Sequence, residues 1–359
     1  MADVLVSGAG GFLGTHLTRV FIEKGHSVRA GDVEGADLSV HSDLGATPVV
    51  YDVLRPDTVE AATQGTEIVV HAAGIFDLSV DPERLWAVNA EGSRLAAEIA
   101  ARLGVKRFVQ VSSTSVYGRG ACQLAEDGPK RPMHAYDRSK WAGEESAVAT
   151  CQEAGLPCSV VRPTLIYGPG GRYGVAPAIA LMALRTRLGL MRIPIAQGGP
   201  IGHMVHVEDV ALATELVATT PAAEGGVFNL ADDGPLRAGE LIRLLAEVSG
   251  ASISDRALPW WCAGLFKFIK PLARWWLRGQ NRKLAHLWSK QVEEHDLVPA
   301  LVPRLDVDWL DYIFEEHSFD NERIKALGFQ FRHPQARDGL RSLGAWYRER
   351  RWIPPQLSA

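Results

Sequence analysis

Short apolar runs alternate with longer amphipathic stretches along the first third of the chain. The apolar runs lie in VLVSG, SVRAGD, TPVVYDV, TEIVVHAAG and KRFVQVSS, and each has the length of a buried strand. The stretches between them, such as FLGTHLTRVFIEKG, carry apolar residues three and four positions apart, as one face of a helix does. Strands that alternate with helices predict a parallel sheet with helices on both faces, which is a doubly wound α/β fold.

Three glycines, Gly8, Gly11 and Gly14, stand between the first predicted strand and the first predicted helix. Glycine allows the backbone to turn sharply and to approach a pyrophosphate, while the helix N-terminus supplies free N–H groups and the positive end of its dipole. Phe12 and Leu13 belong to the same turn. The pattern predicts a dinucleotide site of the Rossmann type that is formed by these residues.

The second predicted strand ends in an acidic residue, Asp32. A carboxylate at this place accepts hydrogen bonds from the adenosine ribose hydroxyls and repels a 2′-phosphate, so it predicts NAD rather than NADP as the cofactor. Further predicted cofactor contacts lie after the next strands and on the next helix. They are Asp52, Val53, Ala72, Ala73, Gly74 and Asn89. For Asp52 and Asn89, capping and core hydrogen bonding are alternative roles.

The length of 359 residues and the net charge of -4 are those of a globular enzyme. We expect an NAD-binding Rossmann domain over 1–165 with a return contribution from 204–232, and a smaller, mostly C-terminal substrate-binding region over 166–203 and 233–359. The charge gives no reason to expect nucleic-acid binding. No export signal precedes the first strand, and the four cysteines lack metal-ligand spacing. We therefore predict a cytoplasmic protein with reduced thiols and no metal site.

A tyrosine and a lysine four positions apart, Tyr136 and Lys140, stand in the run AYDRSK at the start of a predicted helix. On one helical face the ammonium would lie near the phenol and favour its ionised form. Ser113 follows the strand KRFVQVSS, at the carboxyl edge where ligands bind in such sheets. A hydroxyl, a phenol and an ammonium beside a nicotinamide can move a proton while a hydride moves. We predict that these three residues are catalytic.

The motifs occur in the order found in one protein family. With SGAGGFLG, YDV, HAAG, NAEGS, SSTSVYG, YDRSK, RPTLIYGPG and HVEDV in nearly the first two thirds of its length, the chain resembles an extended short-chain dehydrogenase/reductase of the NAD-dependent epimerase/dehydratase superfamily. The resemblance implies that Tyr136 is the acid/base and that Lys140 lowers its pKa and holds the nicotinamide ribose. It also implies that Ser113 orients the reacting oxygen. The predicted cofactor site includes Pro163 and Thr164 of RPTLIYGPG.

Departures from the family pattern bear on the substrate. Members that dehydrate sugars follow the catalytic hydroxyl with an Asp-Glu pair, whereas this chain has Thr114 and Ser115. Nucleotide-sugar members carry an asparagine and an arginine that meet the diphosphate, and Leu165 and Gly202 stand in their places. The segment RPTLIYGPG resembles the 3β-hydroxysteroid dehydrogenase branch more closely. Four other arginines could supply phosphate contacts in another arrangement, although a solvated face is the interpretation we favour: Arg172, Arg185, Arg187 and Arg192.

The last third contains a Trp-rich basic segment at 257–288. Between positions 256 and 292 there are five Trp and eight Lys or Arg, and no Asp or Glu. The basic residues gather on one helical side and the apolar residues on the other, as in a helix that lies in a membrane surface without spanning it. A helix packed over the substrate cleft or at a dimer interface is the alternative. Pro271 is expected to kink or divide this helix.

Together these features predict an NAD-dependent oxidoreductase. It would oxidise the 3β-hydroxyl of a steroid, sterol or other lipid-like substrate to the ketone, and a 4-carboxysterol could then lose its carboxylate. A nucleotide-sugar 4-epimerase or reductase is the first alternative, and a non-catalytic NAD-binding regulator is the second. The expected partners are an apolar small molecule, the cytoplasmic membrane face as a peripheral contact, and a second copy in a homodimer.

Overall fold

The computed structural model describes residues 1–77, 80–189, 196–254, 258–259, 261–305 and 315–355. The chain divides into two compact units. The first unit consists of Met1–Thr164, Val207–Ala231 and Phe319–Arg332, and the second of Leu165–His206, Asp232–Ser318 and His333–Ala359.

A seven-stranded sheet forms the centre of the first unit. Its strands are β1 (Asp3–Ser7), β2 (Ser27–Asp32), β3 (Thr47–Val50), β4 (Ile68–His71), β5 (Arg107–Val111), β6 (Cys158–Pro163) and β7 (Val227–Leu230). They lie in the order β7-β6-β5-β4-β1-β2-β3, and all neighbours are parallel. The predicted doubly wound fold is confirmed. Because the strand order reverses between β1 and β4, the carboxyl ends of these two strands border the crevice where such sheets bind ligands.

Helices connect the strands, as the apolar spacing predicted. In chain order they are α1 (Phe12–Glu23), α2 (Ser39–Asp43), α3 (Pro56–Thr63), α4 (Pro82–Trp86), α5 (Gly92–Arg102), α6 (Ala135–Ala154), α7 (Val175–Arg187), α8 (Val207–Thr219), α9 (Ala238–Ser249), α10 (Trp261–Glu294), α11 (Glu322–Ala326) and α12 (Ala336–Glu349). A π-helical turn, Ala87–Glu91, joins α4 to α5, and the described part of the chain also has 3₁₀ turns at Thr114–Tyr117 and Pro221–Ala223. A short strand, Ala121–Leu124, lies outside the central sheet.

The core of the first unit lies between the sheet and its helices. Leu5, Val69 and Phe108 of the sheet are inaccessible to solvent or nearly so, and they pack with small residues of α5 such as Ala97 and Ala100. Alanines let this helix approach the sheet closely, while the strands carry the larger apolar side chains. Burial of a large apolar side chain stabilises the fold by about 1.5–3 kcal/mol.

The boundaries of the first unit differ from the predicted ones in one segment. Phe319–Arg332, assigned from sequence to the substrate-binding region, belongs to the first unit. Two backbone-directed hydrogen bonds hold this segment there: the Asp320 N–H donates to the Leu124 carbonyl at 2.9 Å, and the Asn321 side chain donates to the Ala231 carbonyl at 2.8 Å. Sequence spacing alone carries no sign of this return.

The second unit has its own core of α7, α9, α12 and part of α10. Ile179, Leu245, Leu340 and Tyr347 are buried in it. Its short strands are Leu165–Tyr167, Ala196–Gln197, Ile201–Gly202, Met204–His206, Leu236–Arg237 and Leu258–Pro259, and a further strand, His317–Phe319, begins in it. The Tyr347 hydroxyl donates to the Gly171 carbonyl at 2.9 Å, which ties α12 to the loop before α7.

Helix α10 continues from Trp261 to Glu294, so Pro271 does not divide it, and a kink at Pro271 stays a prediction. In its C-terminal part, Leu277 is buried, and Trp288 belongs to the core of the second unit. The side chains of 255–276 lie outside the described residues. Among the described residues, no helix has the length and apolar character needed to cross a bilayer.

Candidate functional site

The glycine turn after β1 is so tight that side chains would not fit. Gly8 has φ of 70°, and a Cβ atom there would lie 2.9 Å from the Ala73 Cα. A Cβ at Gly14 would lie 1.9 Å from the Gly8 carbonyl oxygen, while the Gly11 N–H donates to that same oxygen at 3.1 Å. The start of α1, with Phe12 and Leu13, is therefore held directly against the end of β1.

Asp32 ends β2 beside this turn. Its carboxylate accepts the N–H of Gly10 at 2.8 Å and the N–H of Val33 at 2.7 Å, so its direction is fixed by the backbone. The side chain is half-buried and keeps part of its surface open. An oriented carboxylate at this place suits the ribose hydroxyls of NAD, as the sequence predicted.

A hydrogen-bonded link between β1 and β4 was missed from sequence. The Ser7 hydroxyl accepts the Ala73 N–H at 3.1 Å and contacts Nδ1 of His71 at 3.0 Å. Burial lowers the pKa of His71 to about 3, so its imidazole is neutral. The link fixes Ala72 and Ala73 opposite the glycine turn. The sequence signal was a histidine that ends an otherwise apolar strand before small residues.

Asn89 and Asp52 hold backbone. Asn89 lies in the π-helical turn, is almost fully buried, and exchanges two hydrogen bonds with the backbone of Ile75 at 2.8 and 3.1 Å. Its amide also donates to the Ser139 hydroxyl at 3.1 Å. The Asp52 carboxylate accepts the Leu54 N–H at 2.9 Å. Both side chains therefore have structural roles of the kind that the sequence analysis named as alternatives. Their contact with the cofactor stays a prediction.

Two neighbouring predicted residues border this region. Val53 is buried against α5, where a Cβ at Gly92 would lie 2.7 Å from it. Gly74 is exposed, and a Cβ there would lie 3.0 Å from the Asn89 amide oxygen and 3.8 Å from the Lys140 Nζ. Gly74 therefore lies near the predicted catalytic lysine, while Val53 packs on α5, and the contact of both residues with the cofactor stays a prediction.

The structure brings Ser113, Tyr136 and Lys140 together. Ser113 precedes the 3₁₀ turn, accepts the Ser115 N–H at 3.1 Å, and hydrogen-bonds to Tyr136. Tyr136 lies in the first turn of α6 and is 8% exposed. Lys140, one turn further, donates from Nζ to the Val111 carbonyl at 2.7 Å. The three side chains stand at the carboxyl end of β5, where the sequence placed them.

Burial mainly determines the pKa of Tyr136. Burial raises the pKa of this phenol above its ordinary value, and the hydrogen bond with Ser113 opposes the rise only in part. Lys140 donates to the Val111 carbonyl, and its expected lowering of the Tyr136 pKa stays a prediction. Burial also lowers the pKa of Lys140, to about 8. Sequence spacing could not reveal the degree of burial.

Phe76 is a neighbour of the phenol that sequence reasoning missed. Its ring meets that of Tyr136 edge to face, with the ring centroids 5.0 Å apart. The Phe76 side chain remains 42% exposed although it is large and apolar. Phe76 therefore places apolar surface beside the catalytic phenol, and no periodic pattern marks it.

Three buried hydroxyl groups that lack a hydrogen-bond partner bear on whether the site can hold a cofactor. Among the described residues, Ser112, Ser115 and Thr164 each bury a hydroxyl that has no hydrogen-bond partner. Thr164 follows Pro163 at the end of β6, and a buried hydroxyl left unpaired costs about 1–3 kcal/mol. Together with the glycine turn and the oriented Asp32, these residues fit a dinucleotide.

Comparison with a protein-family model assigns the chain to a family. The model of the NAD dependent epimerase/dehydratase family matches residues 4–231, which include the whole site. The chain belongs to this family. Membership confirms NAD as the cofactor and confirms the predicted class of NAD-dependent oxidoreductases and epimerases, of the extended short-chain dehydrogenase/reductase type.

Relatives in this family have diverse activities. A UDP-glucose 4-epimerase of Vibrio cholerae is 28% identical over 74% of this chain and 81% of its own length. A 3-beta-hydroxysteroid dehydrogenase of Mycolicibacterium neoaurum is 28% identical over 71% of this chain and 72% of its own. A ceramide reductase of Caulobacter vibrioides is 32% identical over 69% of this chain and 71% of its own.

The fold is also that of solved structures. The UDP-glucose 4-epimerase of Thermus thermophilus, solved in complex with NAD, has a TM-score of 0.69 to this chain at 22% identity. The match covers 96% of this chain and 99% of the epimerase. This similarity supports the fold rather than a substrate.

Proposed function

We propose that the protein oxidises a secondary alcohol, the 3β-hydroxyl of a steroid, sterol or other lipid-like substrate, to the ketone with NAD. A sterol that carries a 4-carboxylate would then lose it, because the neighbouring ketone can hold the charge. The assembled group of Ser113, Tyr136 and Lys140, with Phe76 against the phenol, is the observation that carries the proposal. The similarities to a hydroxysteroid dehydrogenase and a ceramide reductase support an apolar substrate.

The cofactor would be held by the elements around the crevice. The glycine turn would receive the pyrophosphate, Asp32 the adenosine ribose, and Lys140 the nicotinamide ribose. When bound, NAD supplies the hydride acceptor and a positively charged nicotinamide ring. The unpaired hydroxyl of Thr164 offers a hydrogen bond at the end of β6.

The protein's own residues would move the proton. Ser113 hydrogen-bonds to the alcohol oxygen and orients it toward Tyr136. The Tyr136 phenolate then accepts the hydroxyl proton, and the charge of Lys140 favours the phenolate. Because burial alone keeps this phenol protonated, the site needs positive charge beside it to work near neutral pH. Phe76 keeps water from one side of the ring.

Replacement of Tyr136 tests the role of the phenol. We expect Tyr136→Phe to lower the turnover of a 3β-hydroxy-5-ene steroid by about 10²–10⁴-fold, because the proton acceptor is lost. NAD binding, measured by calorimetry, should stay within about threefold of the wild type, a change below 1 kcal/mol. Tyr173→Phe is the matched control, because Tyr173 is 56% exposed. A Tyr136→Phe enzyme that still oxidises the steroid would refute the assignment.

A nucleotide-sugar 4-epimerase is the second candidate, supported by the Vibrio cholerae relative. Leu165 and Gly202 count against it because neither can pair with a diphosphate. Incubation with UDP-glucose and with the steroid, each followed by product analysis, separates the two. Epimerisation without net NADH would replace the proposed function. An intact protein that binds NAD and turns over neither substrate class would support the non-catalytic alternative.

A further inference from the structure

The helical face that carries Tyr136 and Lys140 continues to a third ionisable residue, Glu144. The three are spaced four apart along α6, so consecutive members lie one turn apart on the same side. All three are at least nine-tenths buried. Glu144 has no part in the proton transfer described above.

Glu144 is fixed by a buried ion pair with Arg162 of β6. The Nε of Arg162 donates to Oε2 of Glu144 at 3.0 Å, a second contact joins Nη2 to Oε1, and the side chains are only 4% and 3% exposed. Arg162 also donates to the Tyr117 hydroxyl at 2.6 Å and to the Glu126 carbonyl at 2.9 Å. The carboxylate is therefore held in a fixed position on the helix turn that follows Lys140.

We propose that Glu144 is a positioning residue whose carboxylate stabilises the ammonium form of Lys140 in the buried site. The proposal deepens the proposed function, since it assigns what keeps the lysine charged while the tyrosine works. An ammonium buried among apolar groups is disfavoured, and an anion one helical turn away offsets that cost.

The charges around Lys140 are consistent with this role. Burial lowers the pKa of Lys140 to about 8, and Glu144 opposes that lowering. From β4, His71 faces the lysine as a neutral imidazole, because burial lowers its pKa to about 3. On α6, burial keeps Tyr136 protonated, and Asp137 accepts the His134 N–H at 3.0 Å at the start of the helix. From β5, the Val111 carbonyl accepts a hydrogen bond from the ammonium at 2.7 Å.

The direct test is the titration of Lys140 in the intact protein. Lysine labelled with ¹³C at Cε would be followed by NMR against pH, with the Lys140 signal assigned from a Lys140→Met variant. We expect Glu144→Gln to lower the pKa of Lys140 by about one pH unit and Glu144→Asp to restore most of it. The matched control is Glu145→Gln, because Glu145 is the exposed next residue and should move the pKa by less than about 0.2.

A kinetic measurement gives the same comparison during turnover. The alkaline limb of kcat/KM should move to lower pH in Glu144→Gln, whereas a purely structural role would reduce the rate at every pH without moving the limb. If Glu144→Gln does not fold, Arg162→Gln keeps the carboxylate and removes the cation paired with it, so the pKa of Lys140 should rise instead of fall. An unmoved Lys140 titration in folded protein overturns the inference. A shifted titration without any alcohol oxidation would instead overturn the proposed function and leave the role of Glu144 intact.

Discussion

Asp32 shows how much one residue can determine at the cofactor site. Two backbone N–H groups hold its carboxylate in place, so its charge and not its flexibility governs what binds beside it. We expect Asp32→Asn to raise the ratio of kcat/KM for NADP to that for NAD by at least about tenfold, or 1.4 kcal/mol, because repulsion of a 2′-phosphate is removed.

The control for this prediction is Asp43→Asn, which removes the same charge from an exposed residue in α2. Steady-state rates with each cofactor would be measured for both variants. An unchanged cofactor ratio in Asp32→Asn would show that this carboxylate does not face the ribose.

At the residue scale, replacing Gly14 and replacing Gly279 by alanine should have opposite effects on stability. Gly14→Ala should lower the free energy of unfolding by about 2–3 kcal/mol, because its Cβ would lie 1.9 Å from the Gly8 carbonyl oxygen. Gly279 lies exposed within α10 with no atom within 4 Å of an added Cβ. Gly279→Ala should raise stability by about 0.5–1 kcal/mol, since alanine is the better helix former. Urea unfolding measures both, and equal midpoints would contradict the close packing of the turn.

At the scale of elements, the helix predicted after β4 differs from the observed one in its middle. The apolar spacing indicates one continuous helix, whereas the structure has α4, a π-helical turn at Ala87–Glu91, and α5. The wider turn contains Asn89, and α6 packs against it so closely that a Cβ at Gly143 would lie 2.1 Å from the Asn89 carbonyl oxygen. Hydrophobic periodicity does not reveal the extra residue that a π-helical turn contains. Such turns are frequent at functional sites.

Most of the predicted segment 257–288 lies in helix α10, and the structure describes side chains only in the later part of this segment. In the later part, Trp288 belongs to the second unit's core and Leu284 and Leu287 pack against it, so the apolar side of that part is already covered. Peripheral membrane contact is therefore a proposal for the earlier part, whose side chains at 257–276 lie outside the described residues.

Liposome flotation tests that contact. We expect the protein to float with vesicles rich in anionic lipid, and the variant Lys267→Gln/Lys270→Gln/Arg274→Gln to float less, since each basic residue near the surface contributes about 1 kcal/mol. The matched control neutralises Lys283, an exposed residue in the later part of the helix. A wild-type protein that stays at the bottom of the gradient would contradict the proposal.

At the scale of the whole molecule, we expect the buried His71 and the half-buried His203 to make stability depend on pH. Burial lowers the pKa of His71 to about 3 and that of His203 to about 4, below the ordinary value of 6.5. Below pH 6.5 the unfolded chain binds protons that the folded chain excludes. The free energy of unfolding should therefore fall, for each histidine, by about 1.4 kcal/mol per pH unit until the folded pKa is reached.

Urea midpoints between pH 8 and 5 measure this loss. His203→Gln should make the decline shallower by about 1.4 kcal/mol per pH unit, whereas His286→Gln should not, because His286 is exposed. An identical slope in His203→Gln and the wild type would contradict the burial of this imidazole.

The homodimer expected from the family resemblance is also a whole-molecule proposal, which sedimentation equilibrium would test.

The order of strands and helices, the glycine turn and the pairing of Tyr136 with Lys140 were readable from sequence, because each depends on residues close together in the chain. Apolar spacing determines which face of a helix is buried, and glycine determines where the backbone can turn. Asp32 and Ser113 were located by the same logic, since the carboxyl ends of parallel strands meet at one edge of the sheet.

Tertiary structure alone decided the chemistry of these groups. The pKa of Tyr136 is raised and that of Lys140 lowered because distant segments remove water from them. The neighbours Phe76, His71 and Arg162 come from other elements, as does the return of Phe319–Arg332 to the first unit. Local sequence specifies which side chains are present, whereas desolvation and contact depend on how the whole chain surrounds them.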